Sequence, residues 1–299
     1  METSDANRII MEMMGGNTKQ FLGDHWRQRI LVVRNGLPEL RSFYGVSQFI
    51  EDYFHADYHA ASLVIEIADG RRRFTVPATA SMVSQALRQG SSIALQALQL
   101  PIDLPRMPEK WKWMIELHSA LCRYFLPGFP TSPYLGAPVS AVDVFCTSSA
   151  STTGGHHDTG DVFFLALEGE KEWTVEYHPD MDTVRNLYKA QLLSGMDLKP
   201  ANETTTVVLA PGDCLYVPPY TYHRVRSNGP SLGVSFGLPA FNAINLLAHK
   251  VSLVASRAEF IKPLPSSPGK EPGTYAAARA EQRRRLRELL EALMEQSDR

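Results

Sequence analysis

The pattern of hydrophobic and polar positions divides the chain into three zones. Up to about residue 131 it is mixed and mainly helical. "VSQFIEDYF" (46–54) and "EKWKWMIELHSALCRYFLP" (109–127) repeat apolar residues at helical spacing, the second closed by Pro127. "SMVSQALRQGSSIALQALQL" (81–100) reads as a helix of the same type. Between them, "SLVIEIADGRRRFTVPA" (62–78) predicts two short strands around an Asp69-Gly70 turn.

From 132 to 239 the period shortens. "PVSAVDVFCTSS", "DVFFLALEG", "KEWTVEY", "TTVVLAPGDCLYVPP", "HRVRSN" and "SLGVSFGLP" are rich in Val, Phe, Tyr and Thr and are punctuated by Gly, Pro, Asp and Ser. That spacing predicts an all-β sandwich or barrel. Beyond 240 the helical period returns in "AFNAINLLAHKVSLVASRAEF". A linker at 262–273 carries four prolines, and an amphipathic helix follows with Leu286, Leu289, Leu290, Leu293 and Met294 on one stripe. The expected organisation is an N-terminal mixed region (1–131) packed on a β core (132–239), with a C-terminal helical region (240–299).

Composition narrows the function classes. The net charge of −2 over 299 residues gives no global attraction to nucleic acid or to an anionic membrane. The arginines of the last helix sit beside glutamates and read as a solvated face, so no nucleic-acid partner is expected. The first residues lack a basic stretch ahead of an apolar one, and no apolar run reaches the roughly 18 residues of a membrane span. Cys122, Cys146 and Cys214 are scattered and odd in number. This argues for a reducing, cytoplasmic setting and against both a disulfide framework and a thiolate zinc cluster. Neither a G-x-G-x-x-G nor a G-x-x-x-x-G-K-[ST] loop occurs, so nucleotide-binding folds gain no support.

The chemistry concentrates in "GGHHDTGD" (154–161). In a strand, His156 and Asp158 point to one face and His157 to the other, although a slip of one residue would make His157 the ligand. An imidazole and a carboxylate two residues apart can reach one point in space. One further nitrogen completes the three-ligand set that leaves positions open on a non-haem Fe(II). His223 is the candidate, opening a strand after the turn Pro211-Gly212-Asp213, the run "CLYV" and the break at Pro218-Pro219.

His-x-Asp, a V-F-F strand, Gly-x-Lys-x-Trp, then P-G-D-x-L-Y-V-P-P and His form a combination of high specificity. The stretch 141–238 resembles the JmjC-type cupin oxygenases that depend on Fe(II) and 2-oxoglutarate, closest to their bacterial ribosomal-oxygenase-like branch. Weaker likeness extends back to "FLGDHWRQRILVVRNG" and forward past 240, where relatives carry a dimerisation region. The resemblance implies a mainly β fold: a double-stranded β-helix (cupin, jelly-roll) core with a helical N-terminal part and C-terminal helices. It implies His156, Asp158 and His223 as metal ligands. It places Lys171 and Thr153 on the distal carboxylate of 2-oxoglutarate, a pairing that suits a cation and a hydroxyl donor. Tyr216 and Tyr222 flank His223 and are candidate pocket residues, while Trp173 and Asp161 read as structural.

The implied activity is hydroxylation of an unactivated C–H with Fe(II), 2-oxoglutarate and O2, on a protein or peptide side chain. A free amino acid or natural-product intermediate is the alternative substrate. A non-catalytic or co-substrate-free metal-binding cupin is the alternative class, and Lys171 is the feature that separates them. A homodimer follows from the resemblance alone.

Overall fold

A computed structural model describes residues 3–55, 62–66, 73–77, 81, 85, 92–96, 107–126, 142–147, 150–158, 160–177, 203–238 and seven positions between 280 and 291. The chain separates into two compact units, Met1–Phe129 with Ser140–Ala240, and Pro130–Val139 with Phe241–Arg299. In the second unit Ala280, Arg283, Arg284, Arg287, Glu288, Leu290 and Glu291 are described. All are helical and exposed, with Arg284 paired to Glu288. Leu290, on the expected apolar stripe, is 55% exposed. The other stripe residues and the helix expected at 240–260 lie outside the described residues.

The first unit is built from three longer helices and twelve strands among its described residues. The helices are α1 (Thr3–Met13), α2 (Val46–His55) and α3 (Glu109–Phe125). The N-terminal strands are β1 (Leu31–Val33), β2 (Ser62–Glu66), β3 (Arg73–Pro77) and β4 (Ser92–Gln96). Eight more follow: β5 (Val142–Thr147), β6 (Ser151–His157), β7 (Asp161–Glu168), β8 (Lys171–Tyr177), β9 (Glu203–Leu209), β10 (Cys214–Val217), β11 (Tyr222–Ser227) and β12 (Ser231–Leu238). They form two antiparallel sheets. The larger has the order β1-β10-β7-β12-β5-β4-β2-β3, the smaller β6-β11-β8-β9. From β5 onward the chain crosses between the sheets at every step except the hairpin of β8 and β9, in the manner of a jelly roll.

The strands sit where the period-2 and buried runs predict. The expected hairpin at 62–78 forms, with Ser62 opposite Pro77 and Glu66 opposite Arg73, and its turn lies outside the described residues. One expectation is corrected. "SMVSQALRQGSSIALQALQL" is not one helix: Ser81 and Gln85 are helical, but Ser92–Gln96 is a strand bonded to β2 and β5 on its two sides. "SIALQ" alternates as well as it repeats at helical spacing, and two neighbouring strands with open hydrogen-bonding groups decide between the two.

β7 shows why the larger sheet needs continuous apolar runs, since seven of its eight residues are buried. Val162, Phe164 and Ala166 face the interior between the sheets, with Trp173, Leu209, Leu215 and Val217. Phe163 faces the other way, into an aromatic layer with Phe21, Phe125 and Tyr216 at centroid distances of 5.0–5.9 Å. Trp26 closes this layer, stacked 4.5 Å from Phe125 and 5.7 Å from Tyr216. Helix α3 buries Trp111, Met114, Leu117 and Leu121. The Trp111 indole N–H reaches the Tyr44 hydroxyl at 2.9 Å, so its polar atom is satisfied inside the core. Both faces of the larger sheet are therefore covered around β7 and β10, and the smaller sheet closes over the interior there.

Candidate metal centre

Strands β6 and β11 lie side by side, with His223 directly opposite His156. Partners opposite one another in a sheet point to the same face, so two imidazoles separated by 67 positions share one spot. Their ring centroids are 4.4 Å apart. Asp158 completes the set from just beyond the end of β6. Its oxygens lie 3.7 Å from His156 Nε2 and 3.5 Å from His223 Nε2, and the three ligand atoms fall within 4.8 Å of one another. Donors about 2 Å from one shared ion stand about 3 Å apart when adjacent, so small side-chain movements would close this set on a first-row metal. Two imidazole nitrogens and one carboxylate are also the donor types of a 2-His-1-carboxylate site.

Burial grades across the three. His223 is 3% exposed, His156 29% and Asp158 40%, so the site is walled on one side and open on the other. Burial pushes the His223 imidazole down to about 4, and the Asp158 carboxylate only partly opposes that. The ring is therefore neutral at physiological pH. Its Nδ1–H donates to the Thr221 carbonyl at 2.9 Å, which fixes the tautomer and leaves Nε2 as the lone-pair donor. On the inner side the Trp173 indole stacks against His223 at 5.3 Å, and its Nε1–H is a buried donor without a partner among the described residues.

Lys171 opens β8 on the interior face and is 3% exposed. Val175 lies opposite His223 and Ser227 opposite Lys171, so the lysine sits four residues deeper along the strands, or about 13 Å. Its ammonium donates to Ser227 Oγ at 3.1 Å. Ser227 in turn accepts from Ser231 Oγ at 3.1 Å, and Ser231 shares a 2.6 Å bond with Thr147. Burial draws the Lys171 amine down to about 8, and no carboxylate contacts it among the described residues. A lysine with only a hydroxyl and a protonated thiol beside it is an incomplete site for an anion.

The remaining candidates fall in different places. Position 153 pairs with Val225, because β6 carries an extra residue at 154–155 opposite Arg224. That bulge resets the alternation and returns position 153 to the register face of His223. Tyr216 is not brought to the cluster. It lies on the far face of the larger sheet, donating to Asp161 at 2.7 Å and accepting from the Arg27 backbone N–H. Tyr222 lies on the outer face of the smaller sheet, edge-on to His157 at 5.1 Å. Its hydroxyl occupies the space above Gly155, where an added Cβ would stand 1.8 Å from the oxygen. Asp161 is a fully buried structural acid, bonded to Tyr216 and Arg27. Tyr220, a third tyrosine flanking His223 in the sequence, meets the site through its backbone, and Ser227 and Thr221 were not singled out in the sequence. Serine and threonine in a strand carry no local signal, and only the cross-strand register reveals them.

Comparison with known proteins adds a family likeness. A family model described as the JmjC domain matches residues 135–246. A probable ribosomal oxygenase of Haemophilus influenzae is 26% identical over 237 residues, 76% of this chain and 50% of that protein. Ribosomal oxygenase 2 of Bos taurus is 25% identical over 221 residues, 69% of this chain and 41% of that protein. Among solved structures, the Escherichia coli ribosomal oxygenase YcfD in complex with cobalt and 2-oxoglutarate superimposes with a TM-score of 0.52 at 20% identity, covering 89% of this chain and 65% of that one. The chain thus spans about half the length of the bacterial relative and less of the bovine one. Residues 135–246 thus match the JmjC domain on a jelly-roll core, and the chain is similar to ribosomal oxygenases over most of its length.

Proposed function

We propose that this chain is an Fe(II)- and 2-oxoglutarate-dependent oxygenase that hydroxylates an unactivated C–H on a protein or peptide side chain. One observation carries the reading. A triad of the right donor types stands at the open end of the barrel, and a buried, carboxylate-free lysine stands about 13 Å deeper on the same face. The lysine stem covers part of that span, and a five-carbon dicarboxylate suits the remainder. His156, Asp158 and His223 would hold the metal, which when bound with 2-oxoglutarate supplies the oxygen activation. Lys171 and Ser227 would hold the distal carboxylate, with Thr153 a third candidate from its register position. The unpaired Trp173 N–H is a further donor available to a bound carboxylate. Phe164, Trp173 and Val225 line the space between with apolar surface, which limits the water that reaches the reacting centre. The exposed side of Asp158 leaves the approach for substrate.

The protein or peptide substrate class follows the names of the relatives, the Haemophilus protein and YcfD both being ribosomal oxygenases. A cytoplasmic setting agrees with three free, buried cysteines. A homodimer belongs to this reading by the resemblance alone.

The test is an anaerobic titration of 2-oxoglutarate into Fe(II)-loaded protein, following the charge-transfer absorption of the chelate, with Asp158→Ala and Lys171→Ala in parallel. A band in the wild type that weakens in both variants is expected. Succinate release and gain of one oxygen atom in a peptide, read by mass spectrometry, then identify the substrate. Iron binding with no band on adding 2-oxoglutarate would remove the co-substrate and leave a metal-binding cupin.

A further inference from the structure

His157 sits between two of the ligands and is not one of them. Its ring lies on the outer face of the smaller sheet, away from the ligand atoms, beside Tyr222. Its Nδ1 is 3.0 Å from the Tyr220 carbonyl oxygen. A carbonyl can only accept, so Nδ1 carries the proton in this contact. Tyr220 is one of three non-glycine residues with positive φ among the described residues, at +61°. An L-residue held there is strained, and the surroundings must supply the contacts that keep it.

Those contacts converge on the metal ligands. The Tyr220 backbone N–H donates to the Asp158 carbonyl at 2.7 Å, a short bond between the turn and the peptide that carries the carboxylate ligand. The next carbonyl, that of Thr221, accepts the Nδ1–H of His223. Thr221 is 4% exposed, and its N–H returns to the Pro218 carbonyl at 3.4 Å. Two consecutive residues of one turn therefore touch both halves of the triad, Asp158 through its main chain and His223 through its ring. His157 is the side chain of β6 that grips the same turn.

We infer that His157 is a positioning residue of the metal centre: its Nδ1–H holds the Tyr220 carbonyl, and so keeps the Tyr220–Thr221 turn where it can fix Asp158 and orient His223. This rests on the metal-centre reading above. The "HHD" run is then a ligand, a strut and a ligand, with alternate faces of the strand doing different work. The partner chemistry needed at position 157 is narrow, a donor at the Nδ1 position on a short stem. Asparagine can place its Nδ2 there. Glutamine puts its donor one bond farther out, and phenylalanine keeps the ring but has no donor.

The test uses Co(II) as the probe and reads its binding, not turnover. The full-length protein and the variants His157→Asn, His157→Gln and His157→Phe are titrated with Co(II) in the absence of oxygen, following visible d–d absorption, with Asp158→Ala as the ligand control. Far-UV circular dichroism and Tm are recorded for each. His157→Phe and His157→Gln are expected to weaken Co(II) binding about tenfold or more and to alter the d–d band, while His157→Asn stays close to wild type. The order Asn above Phe is the signature, because a role in packing against Tyr222 alone would give Phe above Asn. Wild-type affinity in both Phe and Gln variants overturns the inference, as does an Asn variant as weak as Phe. Should the Phe variant not fold, the comparison of Asn with Gln decides. A wild type that binds Co(II) no better than Asp158→Ala overturns the metal-centre reading and this inference together. Failure of the His157 series in a protein whose wild type binds normally overturns this inference alone.

Discussion

Binding of 2-oxoglutarate to the metal-loaded protein is expected to take up a proton, in an amount that pH sets. Burial lowers the Lys171 amine from 10.5 to about 8, and its neighbours are a hydroxyl, Ser227, and the Cys146 thiol. The same burial pushes that thiol up to about 12, so it stays protonated through the window considered and adds nothing. Above pH 8 the free protein carries a neutral amine. A carboxylate brought against it favours the ammonium, and the proton comes from solvent. With a pKa of about 8 the amine is about 90% deprotonated at pH 9 and about 10% at pH 7. Uptake should therefore be about 0.9 proton per molecule bound at pH 9 and about 0.1 at pH 7, and affinity should fall by up to tenfold per pH unit above 8. Calorimetric titration in two buffers of different ionisation enthalpy measures the uptake directly. Lys171→Arg, charged throughout, should show little uptake at either pH. The depressed pKa also governs stability without ligand. Between pH 8 and 10.5 the unfolded chain holds the proton that the folded chain has lost. Stability therefore rises with pH across that window, by about 3 kcal/mol relative to Lys171→Met in urea unfolding. Wild-type uptake near zero at pH 9, or equal to that of Lys171→Arg, would refute the placement of the co-substrate carboxylate against Lys171.

Two further outcomes follow from the core. Burial raises the Asp161 carboxyl to about 6, against the Tyr216 and Arg27 contacts that lower it. An acid whose folded pKa lies above its unfolded value of 3.8 contributes stability that is present below 3.8 and lost as pH rises through 6. The wild type should thus lose about 2 kcal/mol relative to Asp161→Asn between pH 4 and pH 7, measured by urea unfolding. A constant difference would mean that Arg27 neutralises the charge fully. Gly233→Ala would put a Cβ 2.1 Å from the Phe164 ring, which is already wedged edge-on to Trp173 at 5.0 Å. A loss of about 1–3 kcal/mol is expected, and an unchanged urea midpoint would show that the ring has room to move.

Period and punctuation were enough to find β5, the strands from β7 onward and the helices α2 and α3, because each buries a face whose spacing is written locally. Ser92–Gln96 was missed for a non-local reason: its five residues satisfy both periods, and β2 and β5 supply what the segment itself does not. Which sheet a strand joins is equally non-local. β1 pairs with β10 and lengthens the larger sheet, although 183 positions separate Leu31 from Cys214. The two candidate tyrosines show the same limit within the site. Tyr216 and Tyr222 lie within seven residues of His223 along the chain, yet strand parity sends one under Trp26 and Phe21 and the other to the outside. Nearness in sequence to a ligand is no measure of nearness to its metal when the chain is extended.

The bulge at Gly154-Gly155 is the clearest case. Simple alternation back from His156 assigns position 153 to the opposite face, the face of His157. The extra residue cancels that step, so position 153 returns to the face of His223 and Val225, while the cross-strand pair His156–His223 keeps its place at the open end. Without the insertion, positions 153 and 156 would fall on opposite faces of the strand. The glycines suit both demands, since one strand residue must be left unpaired and the Tyr222 hydroxyl must lie against Gly155. A side chain at 155 would drive that ring away from His157, and His157 is the residue that holds the Tyr220 carbonyl. The glycine pair ahead of "HHD" thus acts on both faces of the strand. It aligns the interior positions along the barrel, and it leaves room outside for the strut that steadies the ligands.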